Sequence, residues 1–262
     1  MAISVDIVYQ KVLAIANKEQ RGYITPQEFN LFADLAQKEI FEQYFYDLNQ
    51  FNRLPGNSMG HSDVKDILES KISAFEMWAN EANTVVANAQ GDVDLNQFLD
   101  FYRLIEVMVK YNNMPKHSLA EEVTAKEYRK YNNSPLAMEN EKRPVYIHDG
   151  SFLNISGFNR IKIIPAPPKT GIVNGNTVAI DDDVITSYIR TPKKPVWGYI
   201  VSQNSNTALW NPSTSINFEL HPSDESELVY KILKLAGVSM VRDDIMRAGQ
   251  GMEAAQIQQE KQ

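Results

Sequence analysis

The chain contains no cysteine, and that one absence removes disulfides, thiolate metal sites, iron–sulfur centres and cysteine nucleophiles together. Long apolar runs are missing as well. No stretch reaches the roughly 18 apolar residues of a membrane helix, and the opening MAISVDIVYQ lacks a basic region followed by an apolar one. Neither a membrane span nor a signal peptide is expected. Histidine is sparse: His61, His117, His148 and His221 are scattered, none at metal-ligand spacing. No nucleophile elbow, phosphate-binding glycine loop or zinc-protease motif is visible. The expectation is a protein that is not an enzyme and needs no cofactor or metal.

What is present is enough for a folded protein. With 262 residues, 43% of them hydrophobic, the chain can bury a sizeable core. Charge is uneven along it: residues 1–135 carry 13 Lys/Arg against 19 Asp/Glu, 136–222 carry 8 against 7, and 223–262 carry 5 against 7. An acidic first half does not attract phosphates, and no segment interleaves basic and aromatic residues as a base-stacking platform does. Sequence-specific nucleic-acid binding is not expected.

Periodicity predicts an α+β chain with an N-terminal helical bundle over 1–135, a small antiparallel β domain over 136–222 and a C-terminal helical arm over 223–262. Val5, Val8, Val12 and Ile15 mark a first helix. Thr25-Pro26-Gln27-Glu28 is a capping box with proline at the first helical position, opening a helix to about Asn49 that buries Phe29, Phe32, Ala36 and Ile40. Helical spacing continues over 62–89, and capping boxes at Asp94 and Ser118 predict helices over 95–111 and from 118 to about 131. Beyond Pro135 the composition turns to Ile, Val, Thr, Asn, Pro and Gly. Strand-sized runs include RPVYIH, RIKIIP, TGIV, NTVAI, DVITSYI, PVWGYIV and SINFEL, with Asn174-Gly175 a strong hairpin signal and residues 204–207 a longer hairpin loop.

Some patterns imitate chemistry. Residues 17–29 have the later spacing of an EF-hand, but Arg21 stands where calcium needs an oxygen; residues 87–98 fit less well. Both read better as a turn followed by a capping box. Asp181-Asp182-Asp183 reads as a solvated turn, since neighbouring carboxylates on a strand point to opposite faces. The aromatic cluster Phe41, Tyr44, Phe45, Tyr46 and Phe51 reads as packing rather than as a partner contact.

The last forty residues carry the clearest functional signal. Ser223 is a candidate N-cap, and Leu228, Ile232 and Leu235 give an apolar stripe that is ordinary core material up to Gly237, the expected stop. Beyond it Val238, Val241, Ile245, Ala248, Met252 and Ala255 recur at spacings of three and four, a thin seam interrupted by Gly249 and Gly251. Glycine costs about 1 kcal/mol relative to alanine inside a helix, so this segment needs a covering neighbour. The six seam residues are the candidate interaction site.

GYITPQEFNLFADLAQKEIFEQYF (22–45) and FELHPSDESELVYKILKLAGVSMVRDDIMRAGQGMEAAQIQQEKQ (218–262) resemble virion structural proteins of crAss-like short-tailed bacteriophages, most of all their head-to-tail adaptor, or ring, proteins. The resemblance implies a homo-oligomeric ring of twelve copies coaxial with the portal protein, in contact with further neck and tail proteins, passing DNA without reading it. A closed ring needs heterologous contacts, and the seam is the candidate for one of them. Other readings are a tail hub or further tail component, a calcium-responsive cytoplasmic regulator, and a hydrolase with hidden carboxylates.

Overall fold

The computed structural model describes residues 3–16, 24–53, 59–78, 84–85, 87–88, 90–111, 116–134, 138–148, 159–167, 170–173, 176–179, 184–201, 208–239, 250–252 and 254. In chain order, three helices come first: α1 (Val5–Ala16), α2 (Pro26–Arg53) and α3 (Met59–Ser73). Then follow β1 (Glu76–Met77), β2 (Thr84–Val85), β3 (Asp92–Asp94), β4 (Phe101–Val109), β5 (Ser118–Glu122), α4 (Ala125–Asn132), β6 (Val145–His148) and β7 (Arg160–Ile164). Last are β8 (Thr170–Val173), β9 (Asn176–Ala179), β10 (Val184–Arg190), β11 (Tyr199–Val201), β12 (Ala208–Trp210) and α5 (Glu225–Ser239). The fold is mixed helix and sheet, and its main sheet is curled and mostly antiparallel. Contacts divide the chain into a helical unit, residues 1–74 with 192–262, and a sheet unit, residues 75–191.

In the helical unit the apolar spacing sets the packing. α1 buries Val5, Val8, Tyr9, Val12 and Ala16, and leaves Ile15 exposed. α2 opens as expected: Thr25 N–H donates to the Glu28 carboxylate (3.0 Å) and Glu28 N–H to Thr25 Oγ1 (3.3 Å). It buries Phe29, Ala33, Ala36, Gln37, Ile40, Phe41 and Tyr44, while Phe32 is half-buried. α5 lies against α2 and α1 with Leu228, Val229, Ile232 and Leu233 buried. Tyr9 packs at a tilt between Phe29 (centroids 4.7 Å) and Trp197 (4.4 Å), and Trp197 Nε1 donates to Asp6 Oδ1 at 3.0 Å. The buried Gln37 amide donates to Lys193 O (2.8 Å) and accepts from Glu219 N–H (3.1 Å), so its burial leaves no polar group unpaired on that account.

The sheet unit has the strand order β1-β10-β4-β5-β6-β7-β3, with β2 also paired to β10. From β2 to β3 the chain takes seven residue steps, at most about 25 Å. Laid flat, the six strand spacings between them would need about 29 Å. The sheet therefore has to curl, and its inner face forms a core from Val85, Val93, Val107, Val109, Ile161, Ile163 and Val184, with Tyr111 and Tyr146. The turn into β3 depends on Gly91 at φ +81°, where an added Cβ would lie 2.3 Å from Ile163 O. Asn88 Oδ1 holds that turn by accepting from Gln90 N–H (2.9 Å) and Asp92 N–H (2.8 Å). Among the described residues β5 and β6 pair in parallel, and the chain between them carries α4, as a parallel connection requires a crossover.

Several expected helices are corrected here. The helix expected over 62–89 ends at Ser73, and residues 76–77 and 84–85 are strand. The helix expected over 95–111 is a single 3-10 turn, Leu95–Gln97, capped by Asp94 and followed by β4. Two register irregularities in the β4–β10 ladder place Tyr102 and Ile105 outside the pairing, so the inward Phe101, Leu104 and Val107 recur every third residue and imitate a helix. The capping box at Ser118 is strand β5; the box that forms is Thr124 with Glu127, at the start of α4. Expected strands fared better: β6 to β11 fall on the predicted runs, although SINFEL supplies only isolated bridges at Ile216 and Phe218. β8 pairs with β9 with Val173 opposite Asn176, the register of a two-residue hairpin, and β11 pairs with β12 across the expected longer loop.

Candidate functional site

α5 does not stop at Gly237 but runs on to Ser239, so Val238 is helical. Met252 is helical and exposed. Val241, Ile245, Ala248 and Ala255 lie outside the described residues, as do Asp181-Asp182-Asp183 and most of the EF-hand-like segment from Asn17. The second such segment is turn and strand, with Asp94 Oδ1 bonded to Asn96 rather than free for an ion. Burial raises the Asp94 carboxyl, yet bonds from Asn96 and the Arg160 charge outweigh this and hold it below its usual range. Among the described residues no three His, Asp or Glu side chains group as metal ligands, and no helix is long and apolar enough to cross a membrane.

Before α5 lies a polar cluster that sequence reasoning missed. Ser223 is not its N-cap. Residues 222–224 form a 3-10 turn whose cap is His221, its Nδ1 accepting from Ser223 N–H at 3.2 Å. Ser223 Oγ lies 2.8 Å from His221 Nδ1 and 3.0 Å from Asp224 Oδ1. The buried Asp224 also accepts from the Tyr44 hydroxyl of α2 and from Lys71 Nζ of α3, the latter at 2.6 Å. Burial, then the Asp224 charge, pushes the Tyr44 hydroxyl well above its usual range, so it stays protonated and donating.

His, Ser and Asp side by side invite a catalytic reading, but the roles do not fit. A triad needs the carboxylate on the imidazole, orienting it to take the serine proton. Here Asp224 touches the serine, the tyrosine and the lysine, and His221 spends Nδ1 on a backbone cap. The arrangement joins α2, α3 and the start of α5 through one carboxylate. A second ion pair repeats the pattern: the buried Lys231 of α5 reaches the exposed Glu39 of α2 at 3.1 Å and the buried Glu227 of its own helix at 3.5 Å. The aromatic cluster divides in the same way. Phe41 and Tyr44 are buried, Phe45 meets Phe41 edge-on at 5.1 Å, and Tyr46 is exposed. The sequence signal that could have found this site was the polar run His221, Ser223, Asp224 directly before an apolar helix.

In the sheet unit a shallow cavity of about 290 Å³ is lined by Leu119, Ala120, Glu121, Lys142, Arg143 and Pro144. Both cationic side chains are exposed, and Asn140 Oδ1 already takes the backbone N–H groups of Lys142 and Arg143. Scanned against protein-family models and searched against curated proteins, the chain matches none.

Proposed function

We propose that this chain is a non-enzymatic structural protein of a phage virion: a ring-forming head-to-tail adaptor that lies beneath the portal protein and extends the DNA channel into the tail. In this reading it is made in the bacterial cytoplasm, functions in the virion neck, and has a helical bundle, a β domain and a C-terminal docking arm. The observation that carries the reading is that the two segments resembling such proteins, 22–45 and 218–262, are far apart in sequence, yet residues 24–45 of the first and 218–239 of the second meet in one helical core. Gln37 with Glu219, Tyr44 with Asp224 and Glu39 with Lys231 join them. The rest of the chain departs from that helical core at Ala74 and returns at Pro192. A helical core interrupted by an inserted sheet unit suits an assembly protein.

The acidity adds less than residues 1–135 suggested. Divided by contact, the helical unit carries 14 Lys/Arg against 18 Asp/Glu and the sheet unit 12 against 15. Neither stands out as a repulsive channel lining. The test is the solution mass of the whole chain and of a version ending at Ser239, each alone and mixed with the portal protein. A defined complex with portal formed only by the whole chain supports both the adaptor and the docking arm. A whole chain that ignores portal but joins tail proteins moves the assignment to a tail hub, and one that binds neither removes the virion reading.

A further inference from the structure

At the start of α5 one hydroxyl proton stands between two acceptors. Ser223 Oγ lies 2.8 Å from His221 Nδ1 and 3.0 Å from Asp224 Oδ1, and a serine hydroxyl has a single proton to donate. With Nδ1 unprotonated, the imidazole accepts from Ser223 N–H at 3.2 Å as the cap of the 222–224 turn and competes with Asp224 for the hydroxyl proton. With Nδ1 protonated, the ring has no lone pair left for the backbone. It then donates to Ser223 Oγ, and the hydroxyl turns its own proton to Asp224 Oδ1, beside the Lys71 ammonium already there at 2.6 Å.

The two ends of this line have different access to water. His221 and Ser223 are exposed, whereas the Asp224 side chain is 4% exposed and joins α2, α3 and α5. The cap is also an uncommon choice. Ser, Thr, Asp and Asn lead at such positions, while histidine is the side chain whose charge changes between about pH 5 and 8. Charged and titratable neighbours come from every helix of the unit: Tyr44 of α2, which bonds the His221 backbone, Lys71 of α3, Asp224 beside the ring, Glu225 and Glu227 of α5, and Lys11 of α1, paired with Glu225.

We infer that His221, Ser223 and Asp224 form a pH-sensitive relay, which moves one hydrogen bond from the turn before α5 to the buried junction of three helices as His221 gains a proton. Solvent supplies that proton, an Nδ1–H bond forms, the ring's charge rises by one, and the serine O–H bond rotates without breaking. Acid thus loosens the cap and adds a donor to Asp224. The relay is independent of the virion reading.

Nuclear magnetic resonance of the whole chain, titrated through the histidine range, tests it. Imidazole nitrogen shifts report the protonation of His221, amide exchange at residue 223 reports the cap, and the Asp224 carboxyl carbon reports its donors. Above the titration the ring proton should sit on Nε2. As His221 charges, the residue 223 amide should exchange about five-fold faster than its intrinsic rate accounts for, and the Asp224 signal should move with the same midpoint. His221→Asn supplies a cap oxygen that does not titrate, so both responses should vanish. Ser223→Ala removes the hydroxyl and keeps the amide, so the amide response should persist and that of Asp224 should largely disappear. A neutral ring protonated on Nδ1 overturns the relay, as does an amide that keeps its protection while His221 charges. An Asp224 response undiminished in Ser223→Ala overturns it too, since the imidazolium charge would then act through space. Circular dichroism checks the fold of each variant, and the wild-type titration decides the first two outcomes without them.

Discussion

The helical unit and the sheet unit hold themselves together by different means. In the first, buried polar groups connect positions remote in sequence: Gln37 to Lys193 and Glu219, Tyr44 and Lys71 to Asp224, and Glu39 to Lys231. In the second, the core cluster is apolar, with Thr186 and Ser187 buried beside it on β10, and tyrosine hydroxyls reach to neighbouring groups, Tyr111 to Pro165 O at 2.8 Å and Tyr188 to Asp100 at 3.1 Å. A strand ladder fixes its own register through backbone bonds, and curling buries one face. Helices have no such ladder between them, so specific polar pairs are where their relative register can be set.

The largest expected break comes from the helical core. Ile232→Ala, at a fully buried site on α5, should cost about 2–5 kcal/mol in denaturant unfolding. Hydrogen exchange should show the loss in residues 1–74 and 208–239 first; equal loss across β4 and β10 would mean that the two units melt as one. Gly91→Ala is the counterpart in the sheet unit. Positive φ and the clash with Ile163 O should cost about 2–4 kcal/mol there, read by the same exchange experiment. Gln37→Leu keeps the volume but strands Lys193 O and Glu219 N–H, for roughly 2–3 kcal/mol. A neutral result would show that water or a shift of the chain replaces that amide.

Alkaline titration sharpens the contrast at smaller amplitude. Burial, then the Glu122 charge, pushes Tyr146 up to about 12, and burial with Asp100 does the same for Tyr188. Raised above an ordinary value of 10.0, these groups stabilise the sheet unit fully below that pH and lose the contribution as pH climbs towards 12. Tyrosinate absorbance should rise late in the native protein, and Tyr146→Phe with Tyr188→Phe should remove part of that late rise. The smallest effect is at the acid end. Bonds from Thr25 lower the Glu28 carboxyl and bonds from Thr124 lower that of Glu127. Both capping boxes therefore contribute above the ordinary carboxylate range and fail as pH falls through the lowered values. Glu28→Gln should leave acid unfolding slightly less steep, seen in the slope of stability against pH.

How much of this was legible follows from which signals are local. The Thr25 box, the α1 and α5 stripes and the pairing of β8 with β9 are written within a few residues of each other, and all were readable. Region 75–122 was not, because the irregularities around Tyr102 and Ile105 give a strand the spacing of a helix, and because Asp94 caps a turn as well as it would cap a helix. The polar cluster at Asp224 joins residues from three helices, and no local pattern records such a meeting. Of the candidate interaction seam, the residues at 241, 245, 248 and 255 fall outside the described chain, and what can be described at Met252 is an exposed helical position.

The sheet unit begins and ends side by side: Arg190 N–H donates to Phe75 O at 2.9 Å, and β1 pairs with the last residues of β10. Its chain therefore closes on itself before residue 192 exists. The helical unit has no such freedom during synthesis. α1 to α3 emerge first, yet the partners of Gln37, Tyr44 and Glu39 lie beyond the whole of residues 75–191. At ribosomal speeds that interval is roughly 6–23 s. For that time the apolar faces of three finished helices wait uncovered, and the nascent protein's exposure to chaperones and to its own sister chains is set by how quickly the inserted sheet passes through.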